Sequence, residues 1–241
     1  MLNKRIILLI VTIIYITTIY QLSEVDTSLT KEDIEVIKKL DLDSSCGNIN
    51  TIDNLIQCVA KIQSKVFSIV LISHHGIGYN HTREPIDLIK EKKGLCYDRS
   101  RFIEKIFTFY NIHYRHVAIH FTEDNSSLPY LKKGSFSHAF SEIYTTKGWM
   151  VVDSIEPFIG ANKEGKVYTA KELKEKKDFK DINNNGLPLN FRLGDYSVIY
   201  GLYSRHGKHY PPFNKIPDIN WEQFTYYNIP FISDKIGTLN E

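Results

Sequence analysis

Apolar and polar positions along the chain mark out its elements before any chemistry is considered. From Ile6 to Tyr20 the residues are apolar or uncharged, with Lys4 and Arg5 in front. That run is at the lower edge of the ~17–25 residues that span a bilayer. Thr30-Lys31-Glu32-Asp33 reads as a helix start, with a capping hydroxyl and an acid three residues on. Ile34, Ile37 and Leu40 then recur on one face. Thr51 opens a stronger helix, in which Ile52, Leu55, Ile56, Val59, Ile62 and Val66 form a stripe. Pro85 to Lys90 reads as a short helix with Gly94 as its stop. A further helix starts at Cys96, with Phe102, Ile103, Ile106, Phe107 and Tyr110 on its apolar face.

The period then changes from helical to alternating. Tyr114 to Phe121 reads as a strand, with Val117, Ile119 and Phe121 on one side. His138–Tyr144 and Trp149–Asp153 read as two strands joined through Thr145-Thr146-Lys147-Gly148, a hairpin signal. If Tyr144 pairs with Trp149, residue 140 faces 153 and residue 138 faces 155. His138 and Asp153 are then diagonal neighbours on one face, roughly 7–8 Å apart at the backbone. A one-residue bulge would separate them.

Composition adds compartment and class. The 241 residues carry 30 basic and 28 acidic side chains, net +2, with no long basic run. That balance gives no nucleic-acid footprint. Hydrophobic content of 42% and charged content of 24% are ordinary for a globular protein. Lys4 and Arg5 should stay inside, which sends the rest of the chain across the membrane. No small-x-small cleavage site follows the apolar run, so an uncleaved anchor is favoured over a cleaved signal peptide. Either way the domain works outside the cytoplasm. There Cys46 and Cys58 can pair, which leaves Cys96 as an odd thiol; three reduced, half-buried cysteines are the alternative.

The expected organisation is a membrane segment at 1–22, a polar linker and short helix at 23–50, a core at 51–182, and an aromatic-rich extension at 183–241 packed on that core. The extension's aromatics, among them Tyr196, Tyr200, Tyr210, Phe213 and Trp221, read as packing rather than a carbohydrate platform. Asn80-His81-Thr82 and Asn125-Ser126-Ser127 fit a glycosylation pattern that matters only in a secretory eukaryotic cell. Residues 122–135 read as a polar loop.

Three residues carry candidate chemistry, in the order nucleophile, base, orienter. Cys96 stands at a helix start, where the helix dipole favours a thiolate, and Asp98 in the same turn suits that dipole. His138 can take the thiol proton and later protonate a leaving amine. Asp153 can orient the imidazole and steady its charge. The Cys96 N–H is a natural oxyanion donor. Taken singly, each residue is more often structural; in this order and with this hairpin, they satisfy the tests for a thiol-nucleophile site.

The motifs around them resemble the transglutaminase-like superfamily. Gly94-x-Cys96, Ser137-His138-Ala139-Phe140-Ser141-Glu142-Ile143-Tyr144 and Gly148-Trp149-Met150-Val151-Val152-Asp153 follow its three core patterns, across roughly residues 50 to 160. The resemblance implies an α+β, papain-like fold in which the Cys helix packs on an antiparallel sheet carrying His and Asp. It also implies triad roles for Cys96, His138 and Asp153. One departure is Ser154, where the family pattern usually has Pro; another is Tyr97, at a position that varies. The expected activity is extracytoplasmic acyl transfer on a peptide or protein substrate, with hydrolysis of an amide first and transamidation second. No calcium cage is visible and no cofactor is required. The reading from another class is a non-catalytic module of an envelope or polysaccharide system, against which the complete Cys-His-Asp set argues.

Weaker candidates lie elsewhere. His206 and His209 could bind metal but have no nearby Cys, Asp or Glu. His116 and His120 share a strand face with Ala118 and are expected to line the cleft or face solvent. Ser204-Arg205-His206-Gly207 with Pro211-Pro212-Phe213 could cover the substrate groove.

Overall fold

The computed structural model describes residues 4–73, 75–78, 83–121, 136–203 and 218–229. Both glycosylation patterns, the 122–135 loop, the histidine pair at 206 and 209, and the 204–213 groove cover with its Tyr210 and Phe213 lie outside the described residues.

Helix α1 (Lys4–Ser23) is long and apolar enough to cross a membrane, with a mean hydropathy of 2.1 and almost no burial against the rest of the chain. Helix α2 (Lys31–Lys38) starts as its capping signal predicts. Thr30 Oγ1 accepts the Asp33 N–H at 3.0 Å and Asp33 Oδ2 accepts the Thr30 N–H at 3.0 Å. Helix α4 (Ile52–Ile69) is capped by Thr51 and buries Leu55, Ile56, Val59, Ile62 and Val66. Cys58 of α4 is bonded to Cys46 of α3 (Asp43–Cys46), Cα to Cα 4.9 Å, and Cys96 is free. The bridge closes a short loop, with a sequence separation of 12. Removing it with Cys46→Ala and Cys58→Ala is expected to cost about 3 kcal/mol, a drop of roughly 6–12 °C in thermal midpoint. Calorimetry of the pair of variants checks this.

Gly94 does not stop a helix. Helix α5 (Pro85–Glu91) ends on Lys92, which takes the left-handed conformation at φ 52° and donates its N–H to Leu88. Gly94 lies instead in β2 (Lys93–Gly94), paired in parallel with β1 (Leu71–Ile72). A glycine is needed there for close approach, since a Cβ would sit 2.9 Å from Asp98 Cβ and 3.0 Å from Val70 Cγ1. This lets α6 (Cys96–Phe109) start hard against the strand.

The main sheet is antiparallel, in the order β5 (Gly148–Val152), β4 (Ser137–Thr145), β3 (Tyr114–Phe121), β6 (Tyr196–Tyr200). Tyr144 stands opposite Trp149, the register expected from the hairpin. Both faces are covered, giving three layers. Ile143, Met150 and Val152 face a core shared with α4 and with Phe102, Ile103, Ile106 and Phe107 of α6. Val117, Ile119, Phe140 and Val151 face a second core with Phe158, Tyr168, Leu173 of α7 (Ala170–Leu173), Phe191 and Tyr196. The molecule is a mixed α+β fold.

Two expectations need correction. His116 and His120 do not face solvent, since both are buried. Their strand face is covered by α6, whose Glu104 Oε1 lies 2.8 Å from His116 Nδ1. It is also covered by Tyr203 of β7 (Leu202–Tyr203), stacked on His116 at 3.8 Å. The segment after residue 183 is also more than an extension packed on a finished core. Its β6 is a strand of the main sheet, and α9 (Trp221–Asn228) holds that strand through Asn228, which bonds the Tyr200 N–H and C=O at 3.0 and 2.9 Å. Likewise Val36, Ile37, Leu40 and Leu42, before residue 51, belong to the first core.

Candidate active site

The first turn of α6 is fixed by a buried ion pair. Asp98 Oδ2 accepts the Leu95 N–H at 2.8 Å, which caps the helix just ahead of Cys96. Arg83 clamps the same carboxylate with two bonds, Nε to Oδ1 at 2.8 Å and Nη2 to Oδ2 at 2.9 Å, while its guanidinium covers the Tyr97 ring. Burial works against the Arg83 charge, but the Asp98 carboxylate outweighs it and holds the arginine's pKa above its ordinary value. Cys96 is the first residue of the helix and is partly exposed. A first helical N–H has no acceptor within its own helix and is available to a ligand.

The hairpin brings His138 and Asp153 together. Asp153 follows the last residue of β5, and its Oδ2 lies 2.6 Å from His138 Nε2. Its Oδ1 accepts the Ile155 and Glu156 N–H groups at 2.6 and 2.7 Å, so a tight turn holds the carboxylate. Gln63 of α4 reaches the same turn and donates Nε2 to the Asp153 and Phe158 carbonyls at 2.7 and 3.0 Å. Ser154 donates its hydroxyl to Ala139 O at 2.5 Å, tying the turn to the strand beside His138. A proline at 154 has no hydroxyl to make that bond.

His138 is buried, with the rings of Phe140 at 5.4 Å and Phe191 of α8 (Leu189–Arg192) at 6.1 Å. Burial pushes its pKa down, but the charge and hydrogen bond of Asp153 outweigh burial and lift it to about 10, with a smaller upward push from Cys96. Nε2 is committed to Asp153. Nδ1 is buried and closes no hydrogen bond among the described residues, which leaves it as the ring nitrogen available to the Cys96 thiol.

The sequence reading passed over Arg99. It lies one turn beyond Cys96 and is 5% exposed. Its Nε donates to Val70 O at 2.6 Å and its Nη1 reaches Ile155 O and Ser154 O at 3.3 and 3.4 Å. Arg99 therefore pins the Cys96 helix to the turn that follows Asp153. Burial lowers its pKa to about 10, against the upward pull of Asp153 and Cys96. An arginine placed three residues after a nucleophile candidate, among buried positions of a helix, was the available signal. Phe191 was also passed over, and only the tertiary fold brings it to the imidazole. Beside the turn a cleft of about 630 Å³ opens between Glu156, Pro157, Phe158, Lys177 and Arg192; Cys96 is not in its lining. Among the described residues no group of three or more His, Cys, Asp or Glu side chains is placed to hold a metal ion.

No family model matches the chain, and no curated protein matches it. Among solved structures, it is similar to a "Putative Cysteine Protease from Cytophaga hutchinsonii" at 17% identity and a TM-score of 0.36. The match covers 60% of this chain and 48%, about half the length, of that one. At this level of similarity nothing about activity is transferred.

Proposed function

We propose that the chain is an extracytoplasmic thiol acyl-transfer enzyme with a papain-like, transglutaminase-like core, which hydrolyses an amide or peptide bond through Cys96, His138 and Asp153. The observation that carries this reading is the buried His138 imidazole, bonded through Nε2 to Asp153 at 2.6 Å, with Nδ1 left for the thiol of Cys96, a partly exposed residue at the start of α6. Helix α1 serves as the anchor, and Lys4 and Arg5 at its start keep that end in the cytoplasm.

The Cys96 thiolate attacks the carbonyl carbon. A C–S bond forms and the carbonyl π electrons move to oxygen, where the Cys96 N–H meets them. The C–N bond then breaks, and the proton on His138 Nδ1 goes to the leaving nitrogen. Water attacks the thioester, His138 takes its proton, and the C–S bond breaks to release the acid. Asp153 accepts the Nε2 proton's hydrogen bond throughout and keeps the imidazole in one orientation.

The test is to find the thioester. Full-length protein is mixed with p-nitrophenyl acetate or with a library of blocked peptides, quenched in acid and weighed intact. An acyl adduct on Cys96, absent from Cys96→Ala and decaying in water alone, is expected. Decay that waits for an added amine would move the reaction to transamidation. No adduct from any donor would leave a non-catalytic module.

A further inference from the structure

The residues that leave α1 are not the free polar linker that their composition predicts. The Tyr20 ring stacks on Trp221 of α9 at 5.6 Å, and Trp221 Nε1 donates to Ser23 Oγ at 2.9 Å. Phe224, one turn along α9, meets Trp221 at 5.7 Å. The backbone joins the same parts, since the Val25 N–H donates to Ile219 O at 3.0 Å and Glu24 bridges Ile219. Leu22 beside them is 62% exposed, an apolar side chain left uncovered by the body.

We propose that Tyr20, Trp221 and the first turn of α9 form a seat at the level of the lipid headgroups, which holds the domain against the bilayer. This rests on the reading of α1 as an uncleaved anchor. Tyr20 ends the apolar run, so a spanning α1 places its ring at the membrane–water boundary, where Tyr and Trp are enriched. A tryptophan stacked on that ring and bonded to Ser23 shares its depth. Trp221 suits the place, with an apolar body for the acyl boundary and its one donor already satisfied.

The chain that leaves α1 is also held to the body: Asp26 O accepts Arg101 Nη2 at 3.2 Å, and Ser28 O accepts Lys105 Nζ.

The test uses full-length protein in phosphatidylcholine–phosphatidylglycerol vesicles. Extraction with alkaline carbonate is done first, and release of the protein overturns the anchor and the seat together, while leaving the thiol chemistry untouched. With the protein retained, lipids brominated near the headgroup are expected to quench tryptophan emission more than lipids brominated near the chain end. Trp221→Phe is expected to remove that quenching and leave the emission of Trp149. Quenching that is absent, depth-independent or unchanged in Trp221→Phe overturns the seat.

Discussion

Replacing His138 with alanine is expected to slow alkylation of Cys96 by iodoacetamide at pH 6 by on the order of 10²-fold. At that pH roughly 0.3% of an ordinary thiol, of pKa ~8.5, is ionised, and only the thiolate reacts. In the native protein an imidazole held in its charged form far above pH 6 stands ready to pair with the thiolate. Without it, Cys96 keeps only the helix start, a weaker influence. The rate is read by intact mass against time from pH 5 to 9. Cys96 is the free thiol, so a single adduct is counted. Equal rates in native protein and His138→Ala across that range would sink the catalytic proposal, because an imidazole that leaves the thiol unaffected cannot be its base. A buried position makes the folded state of the variant a fair concern, so Phe140→Leu, which trims the same pocket without touching the imidazole's hydrogen bond, is the control.

The elements around this pair differ in how readily the sequence revealed them. Local signals read well. Thr30 with Asp33, Thr51, and the stripe from Leu55 to Val66 each act within one or two helical turns. The hairpin register also read well, because a two-residue loop between Thr145 and Gly148 leaves little freedom, and the pairing of Tyr144 with Trp149 then sets which residues share a face. This placed His138 and Asp153 on one face. What did not read was long-range. Strand β6 pairs with β3 some eighty residues earlier in the chain, and its Tyr-Ser-Val-Ile-Tyr run reads only as packing aromatics until that pairing is known. The burial of His116 depends on Glu104 and Tyr203, contributed from separate segments. The clamp of Arg83 on Asp98 and the bonds of Arg99 to the 154–155 carbonyls are likewise tertiary facts with no local pattern. Gly94 misled because a glycine after charged residues resembles a helix stop, whereas its role is to admit the Asp98 side chain.

Changing Asp153 to asparagine is expected to invert the pH dependence of stability. In the native protein the His138 pKa is lifted from 6.5 to about 10, chiefly by Asp153 acting against burial. The folded state then holds a proton that the unfolded chain releases near pH 6.5. This stabilisation is complete below pH 6.5 and is lost as pH rises toward 10. Asparagine keeps an oxygen for the Ile155 and Glu156 N–H groups but removes the charge, so burial becomes the dominant influence and pushes the imidazole pKa down. The variant then gains nothing below neutrality and loses stability as pH falls through 6.5, because a buried imidazole must charge. Thermal midpoints from pH 5 to 10, taken as the difference between native protein and Asp153→Asn, should therefore be widest at low pH and close toward pH 10. The loss at neutral pH should be on the order of a few kcal/mol, the range for breaking a buried ion pair. Amide turnover should fall with it by about 10⁴, the effect of the equivalent change in a serine triad, since Nε2 then meets a donor and the imidazole is held in the wrong tautomer. A difference that does not vary with pH would mean that His138 is neutral in the native fold, and the pair would be a scaffold rather than a charged partner for the Cys96 thiolate.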